Sequence, residues 1–78
     1  GVPLINSVNG EDEVMDRVFP IAKKYGAVVL GLTMDGGGVP KTAEERRRIA
    51  ERIIARAEAY GIPRHRVMID TLVLTASA

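Results

Sequence analysis

The chain has 78 residues, no cysteine, one histidine, 27% charged residues and a formal net charge of +1. That length supports one small unit. Without cysteine there is neither a disulfide framework nor a thiolate metal site, and a balanced charge gives no general attraction to nucleic acid or to an anionic membrane. No apolar stretch approaches the roughly 18 residues of a membrane span, and the lack of cysteine leads to the expectation of a reducing, cytoplasmic setting.

Pro3 to Val8 reads as a strand, apolar up to Ile5 and polar afterwards, and Asn9-Gly10 supplies turn chemistry. Glu11, Asp12 and Glu13 put negative charge where a helix begins, the end at which its dipole is positive. Val14, Met15, Val18, Phe19, Ala22 and Tyr25 recur at helical spacing and form one apolar face. Lys23 and Lys24 fall in the last turn and Gly26 stops it. Pro20 lies inside this helix, where a missing N–H predicts a kink near Asp16 to Val18.

Ala27 to Thr33 is a nearly continuous apolar run, the pattern of a parallel strand covered on both faces. Gly31 within it predicts close backbone approach or tight packing. The loop Met34 to Lys41 contains three consecutive glycines. It lacks the spacing of a phosphate-binding P-loop and reads as a strand-to-helix connection, from which Asp35 could reach a pocket mouth.

Thr42 and Glu45 form a capping box and start a second helix. Ile49, Ala50, Ile53, Ile54 and Ala57 make its buried stripe. Arg48, Arg52 and Arg56 lie on another face, and Glu44 is placed to pair with Arg48. The run Arg46-Arg47-Arg48 is interleaved with Glu44, Glu45 and Glu51, so it reads as a solvated face and not a nucleic-acid patch. Gly61 and Pro63 end the helix, and Val67 to Asp70 begins a third strand. His65, between Arg64 and Arg66, has no second metal ligand at suitable spacing. Tyr25-Gly26 and Tyr60-Gly61 each close a helix before a strand, an internal echo at a spacing of ~35 residues. Both tyrosines read as helix-end packing residues with exposed hydroxyls. The fold class is α/β, with the order β-α-β-α-β and parallel strands.

Parallel strands joined by crossover helices gather their carboxyl ends at one edge. Asn6 and Asp70, far apart in sequence, then share a pocket of the kind found at the mouth of a (β/α) barrel. Asn offers a donor and an acceptor, and an ionised Asp accepts from two N–H groups. The pair suits a ring with an amide-like edge and an exocyclic amine, such as a pterin. The plainer alternative is that both side chains cap loops by bonding local backbone. No nucleophile–base pair is evident, since Ser7 and Ser77 have no placed histidine partner, and no catalytic residue is assigned.

Several strings carry a resemblance: Ile5-Asn6-Ser7-Val8-Asn9, Tyr25 through Asp35, Gly38-Val39-Pro40-Lys41-Thr42-Ala43-Glu44-Glu45-Arg46, Tyr60-Gly61-Ile62-Pro63 and Ile69-Asp70. Together they resemble the pterin-binding methyltransferases, which include the folate modules of cobalamin-dependent methionine synthase and the methyltetrahydrofolate:corrinoid methyltransferases. The resemblance runs nearly end to end. It implies that residues 1–78 are an internal part of a pterin-binding (β/α)8 TIM barrel, matching its fourth to sixth strands. It further implies 5-methyltetrahydrofolate as methyl donor and cobalamin, carried on a separate corrinoid-binding domain or protein, as acceptor, as in methionine synthesis. Asn6 and Asp70 match family residues that hydrogen-bond the pterin, while the earlier pterin-binding Asp residues and the catalytic Asn fall outside these residues. Thr71 stands where the family usually has Pro, and Gly36 and Gly37 stand where charged or polar residues are common.

Gly1 in place of Met, and a closing run from Leu72 to Ala78 with no helix after it, add the expectation of a cut from a longer polypeptide. Alone, such a unit should lack activity. It should also associate, as a homo-oligomer or with the remainder of a barrel, to cover an inner face expected to hold Leu4, Val29 or Leu30, and Ile69. Two alternatives stand beside this reading: a non-catalytic, self-associating α/β module, and a dihydropteroate synthase-like pterin enzyme.

Overall fold

The apolar runs and the amphipathic segments between them become three strands and two helices. The computed structural model describes residues 3–34 and 41–70. It contains β1 (Leu4–Val8), α1 (Asp12–Tyr25), β2 (Val28–Leu32), α2 (Ala43–Ala59), a 3-10 turn (Arg64–Arg66) and β3 (Val67–Asp70). The strands form one parallel sheet in the order β1-β2-β3. The β-α-β-α-β order read from the sequence is therefore the observed one.

Both helices close as their end residues dictate. Gly26 adopts the left-handed conformation at φ 64°, and its N–H reaches the carbonyls of Ala22 and Lys23. The Ala27 N–H returns to the Ala22 carbonyl at 3.0 Å, so the last turn of α1 keeps its acceptors occupied. At the start of α2 the Glu45 N–H donates to Thr42 Oγ1 at 3.1 Å, and the Lys41 N–H donates to Glu45 Oε2 at 3.4 Å. The capping signal thus acts as read, with the carboxylate returning to Lys41. The Lys23 ammonium donates to the Gly61 carbonyl at 3.1 Å and ties the end of α1 to the exit of α2.

Pro20 lies inside α1 and does not end it. Pro20 and Asp16 are both exposed, so water can serve the carbonyl that proline leaves without an N–H. On α2 the i,i+4 ion pair among the described residues is Arg47–Glu51 at 3.5 Å, in place of the expected Glu44–Arg48.

One apolar core joins the sheet to both helices. Met15, Phe19 and Ala22 of α1 meet Ile53 and Ala57 of α2 over Val8, Val29 and Val67, with Ala27 and Ile62 closing the ends. Both helices therefore cover the same face of the sheet. Gly31 permits a close approach there: a Cβ on it would stand 3.1 Å from Ile69 Cδ1 and 3.3 Å from Ile53 Cγ2. The close approach expected at this glycine is borne out.

The other face is open. Leu4 pairs with Val28, Asn6 with Leu30, Leu30 with Met68, and Leu32 with Asp70, which places these residues in rows on one side. Leu4 and Met68 are each 56% exposed, and Val28, Leu30 and Leu32 are half-buried. Among the described residues no element lies over this side, and β2 is buried on the helix-facing side and half-buried on the other. Of the residues expected on the inner face, Leu4 and Leu30 are there. Val29 and Ile69 are not: their strand parity turns them under the helices. Tyr25 also leaves its expected place in the apolar face of α1. It is 63% exposed, with the Lys24 ammonium 5.5 Å from its ring centroid.

Candidate functional site

Asn6 and Asp70 lie on the open face, both toward the carboxyl ends of their strands. Asn6 is level with Leu30, and Asp70 is level with Leu32, two residues further along the central strand. Two strand spacings across and two residues along separate their Cα atoms by about 12 Å. That is too far for a direct hydrogen bond, and Leu30 and Leu32 form an apolar floor between them. A flat heterocycle lying on such a floor could present one edge to the Asn6 amide and another to the Asp70 carboxylate. Asn6 is exposed and Asp70 is half-buried. The sequence argument brings the two residues to one edge and one face, as the structure shows. Asp35, the loop glycines and Thr71 lie outside the described residues.

Asn9 serves its own loop. Its Oδ1 accepts from the Glu11 N–H at 2.9 Å, and its Nδ2 donates to Glu11 Oε2 at 3.5 Å. The Gly10 N–H donates to the Met34 carbonyl at 2.8 Å, so the turn after β1 is fastened to the end of β2. Beside this tether, Thr33 is 1% exposed and its hydroxyl has no hydrogen-bond partner among the described residues. A buried hydroxyl without a partner costs about 1–3 kcal/mol. Thr33 lies at the same edge as Asn6 and Asp70 but follows the parity of Val29 and Gly31, toward the helices.

A polar cluster joins the outer flanks of the helices. Arg52 Nη2 donates to Asp12 Oδ1 at 2.5 Å, Arg56 donates to Asp12 at 2.8 Å and to Asp16 at 2.7 Å, and the Tyr60 hydroxyl donates to Asp16 at 2.9 Å. The Arg52 hydrogen bond, with that of Arg56, holds the Asp12 carboxyl below its ordinary range. The Tyr60 hydroxyl and Arg56 do the same for Asp16. Conversely, Asp16 first and Asp12 second push the Arg56 guanidinium up, and Asp16 pushes the Tyr60 phenol up. The Tyr60 ring also lies against Phe19, with centroids 6.1 Å apart. The cluster is exposed and acts as a latch between helices. Sequence reasoning assigned Asp12 to the helix dipole and the arginines to a separate face. The signal it passed over is a matched period of four: Asp12 and Asp16 on one helix, Arg52, Arg56 and Tyr60 along the other.

Among the described residues, no group of three or more His, Cys, Asp or Glu is placed to hold a metal ion. No described helix is long and apolar enough to cross a membrane. His65 is exposed in the turn before β3, at the amino edge of the sheet, opposite Asn6 and Asp70.

The fold and its carboxyl edge define a parallel β/α unit with both crossover helices on one face and hydrogen-bonding side chains on the other. No family model matches the chain. It is 35% identical over 77 residues to methionine synthase of Mycobacterium tuberculosis, an alignment covering 91% of this chain and 6% of that protein. It is 32% identical over 78 residues to methionine synthase of Mycobacterium leprae, covering 92% of this chain and 6% of that protein. It is 28% identical over 76 residues to the methylcorrinoid:tetrahydrofolate methyltransferase of Eubacterium limosum, covering 95% of this chain and 28% of that protein. The chain therefore spans a small part of each of these relatives. Homologues at these identities, over most of the chain, fit a folate methyltransferase module, and the family resemblance read from the sequence is borne out.

Proposed function

We propose that the chain is part of a pterin-binding (β/α)8 barrel, and that the full enzyme moves the methyl group of 5-methyltetrahydrofolate to a corrinoid acceptor. The observation that carries this reading is the open face. Asn6 and Asp70 flank an apolar floor at the carboxyl edge of parallel strands, where barrel enzymes place their ligands. In this reading the pterin lies over Leu30 and Leu32. The Asp70 carboxylate accepts from N–H groups of the ring, and the Asn6 amide both donates and accepts. These residues orient the donor, so that its methyl group meets the acceptor in one geometry. A tertiary amine releases its methyl group only when the nitrogen is protonated or strongly hydrogen-bonded, and that proton-side group belongs to residues beyond Asn6 and Asp70.

The corrinoid, carried on its own domain or protein, supplies the methyl acceptor. The described residues do not fit a cobalt site of their own, since His65 lies at the far edge, and no step here runs through the corrinoid. The exposed side chains of Leu4 and Met68 support a cover for the same face, formed by the remainder of the barrel or by a second copy.

Titration of the full-length protein with 5-methyltetrahydrofolate tests the reading. Asn6→Ala and Asp70→Asn should each weaken binding by about 1–3 kcal/mol, the penalty for leaving buried ligand groups unpaired. Unchanged affinity in both variants would return these residues to loop capping. Association without folate binding would favour the self-associating module.

A further inference from the structure

We infer that the flank of α1 turned away from α2 is a docking face for an amphipathic helix with an acidic rim, supplied by a further β/α unit of the full-length protein. The inference rests on the barrel reading above. Asp12, Asp16 and Lys23 point toward α2, since they bond Arg52, Arg56, Tyr60 and the Gly61 carbonyl. Met15, Phe19 and Ala22 face the sheet and are buried. On the remaining flank Val14, Val18, Ile21 and Tyr25 make a second apolar row. Their spacing of i, i+4, i+7 and i+11 is the anchor pattern of one helix packing on another. Val14 and Val18 only border the core, and Ile21 and Tyr25 stand exposed. Apolar residues scattered singly on a surface need no explanation. Here two of the four large hydrophobics exposed among the described residues share one row.

The margins of the row indicate what covers it. Arg17 and Lys24 border it on the solvent side and are exposed. Neither is paired with a carboxylate among the described residues, Glu13 of the same helix included. Charges that flank an apolar seam select the partner helix, so two unpaired cations call for carboxylates on the incoming one. The strand beneath agrees. β1 lies at the end of the sheet order and pairs only with β2, so its outer edge has no described neighbour. A parallel strand added beside β1 brings its right-handed crossover helix to the face that carries α1, against this row. The opposite end of the unit is different. The side of α2 away from Arg52 and Arg56 carries the Arg47–Glu51 ion pair, whose side chains are 69% and 66% exposed. That surface is solvated, and the apolar contact belongs to the α1 side.

The test uses the full-length protein and the variants Ile21→Cys, Tyr25→Cys and Lys24→Cys, each treated with a maleimide and read at that position by mass spectrometry. Ile21→Cys and Tyr25→Cys should label about tenfold more slowly than Lys24→Cys, because the reagent must wait for the docked helix to open. Adding Arg17→Glu and Lys24→Glu to Ile21→Cys sets acid against acid and should raise its labelling toward the rate of an exposed site. Hydroxyl-radical modification of Tyr25 in the wild-type protein should be slow, and this reading decides alone where a variant fails to fold. Labelling as fast as that of Lys24→Cys, or a freely modified wild-type Tyr25, overturns the inference. Folate binding by the same wild-type sample would then leave the ligand reading intact. Protection unchanged by the two charge reversals overturns the acidic helix. Protection lost on dilution makes a second copy the occupant and overturns the inference as well.

Discussion

Phe19 offers the sharpest measure of how the two helices hold the sheet. Its ring is fully buried, and it touches the core from α1 while lying against Tyr60 at the end of α2. Truncation to alanine removes the largest fully buried side chain among the described residues and leaves a cavity between the helices and the sheet. Such Phe→Ala changes cost about 3–5 kcal/mol. Small domains carry roughly 0.05–0.15 kcal/mol per residue, which for a unit of this size is about 4–12 kcal/mol in all. The variant therefore loses about a quarter of the total or more. With a urea slope of about 1 kcal/mol/M for a small unit, the midpoint should fall by about 3 M or more. Urea unfolding followed by circular dichroism measures it, at one protein concentration because association shifts the midpoint. Phe19→Leu keeps most of the volume and should cost less than about 1.5 kcal/mol, so it remains measurable even if the alanine variant is unfolded. A fall below about 1 M for Phe19→Ala would show that the helices are held by something other than this core.

Gly31→Val should destabilise by about 1–3 kcal/mol, because its Cβ alone already meets Ile69 and Ile53; Gly31→Ala, offset by the lost freedom of glycine in the unfolded chain, should stay within about 1 kcal/mol in the same urea assay. Stability should also fall in acid. The Asp12 and Asp16 carboxyls titrate below their ordinary value of 3.8 when folded, so their contribution is complete above that value and disappears as pH falls through the lowered folded values. An Asp12→Asn, Asp16→Asn double variant should show a shallower decline of unfolding temperature below about pH 4, and an unchanged slope would remove the latch from the account. Finally, the 78-residue chain alone should be inactive in methyl transfer and should sediment as a dimer or larger species, because Leu4 and Met68 stand exposed on an open sheet face. A folded, monodisperse 8.4 kDa species at high dilution would refute that.

Element order was legible because its signals are local. Thr42 with Glu45 marks a helix start, Gly26 marks a stop through its left-handed φ, and the apolar runs are too short for helices. Each of these depends on neighbours within four residues, so the sequence alone carries them. Tyr25 was misread for the same reason. Its spacing places it in the apolar face of α1, but it sits in the last turn and is 63% exposed, and only packing decides which end of that face is covered. The latch between helices depends on α1 and α2 lying side by side, and period-four acids on one segment say nothing of distance until that contact exists.

The candidate site shows where this local legibility stops. Strand parity places Asn6, Leu30 and Asp70 on one side only if the register between strands is known, and a shift of one residue would send Asp70 under the helices with Ile69. The register shift between Asn6 and Val8 acts this way within β1: Val8 joins the core while Asn6 stays on the open face. Without it, strict alternation would place Asn6 and Val8 on the same side, and either the core would lose a fully buried valine or the polar amide would be drawn beneath the helices. The sequence motif names the residues that could meet a ligand. The irregularity beside Asn6 is what allows one short strand to supply both an exposed amide and a core valine.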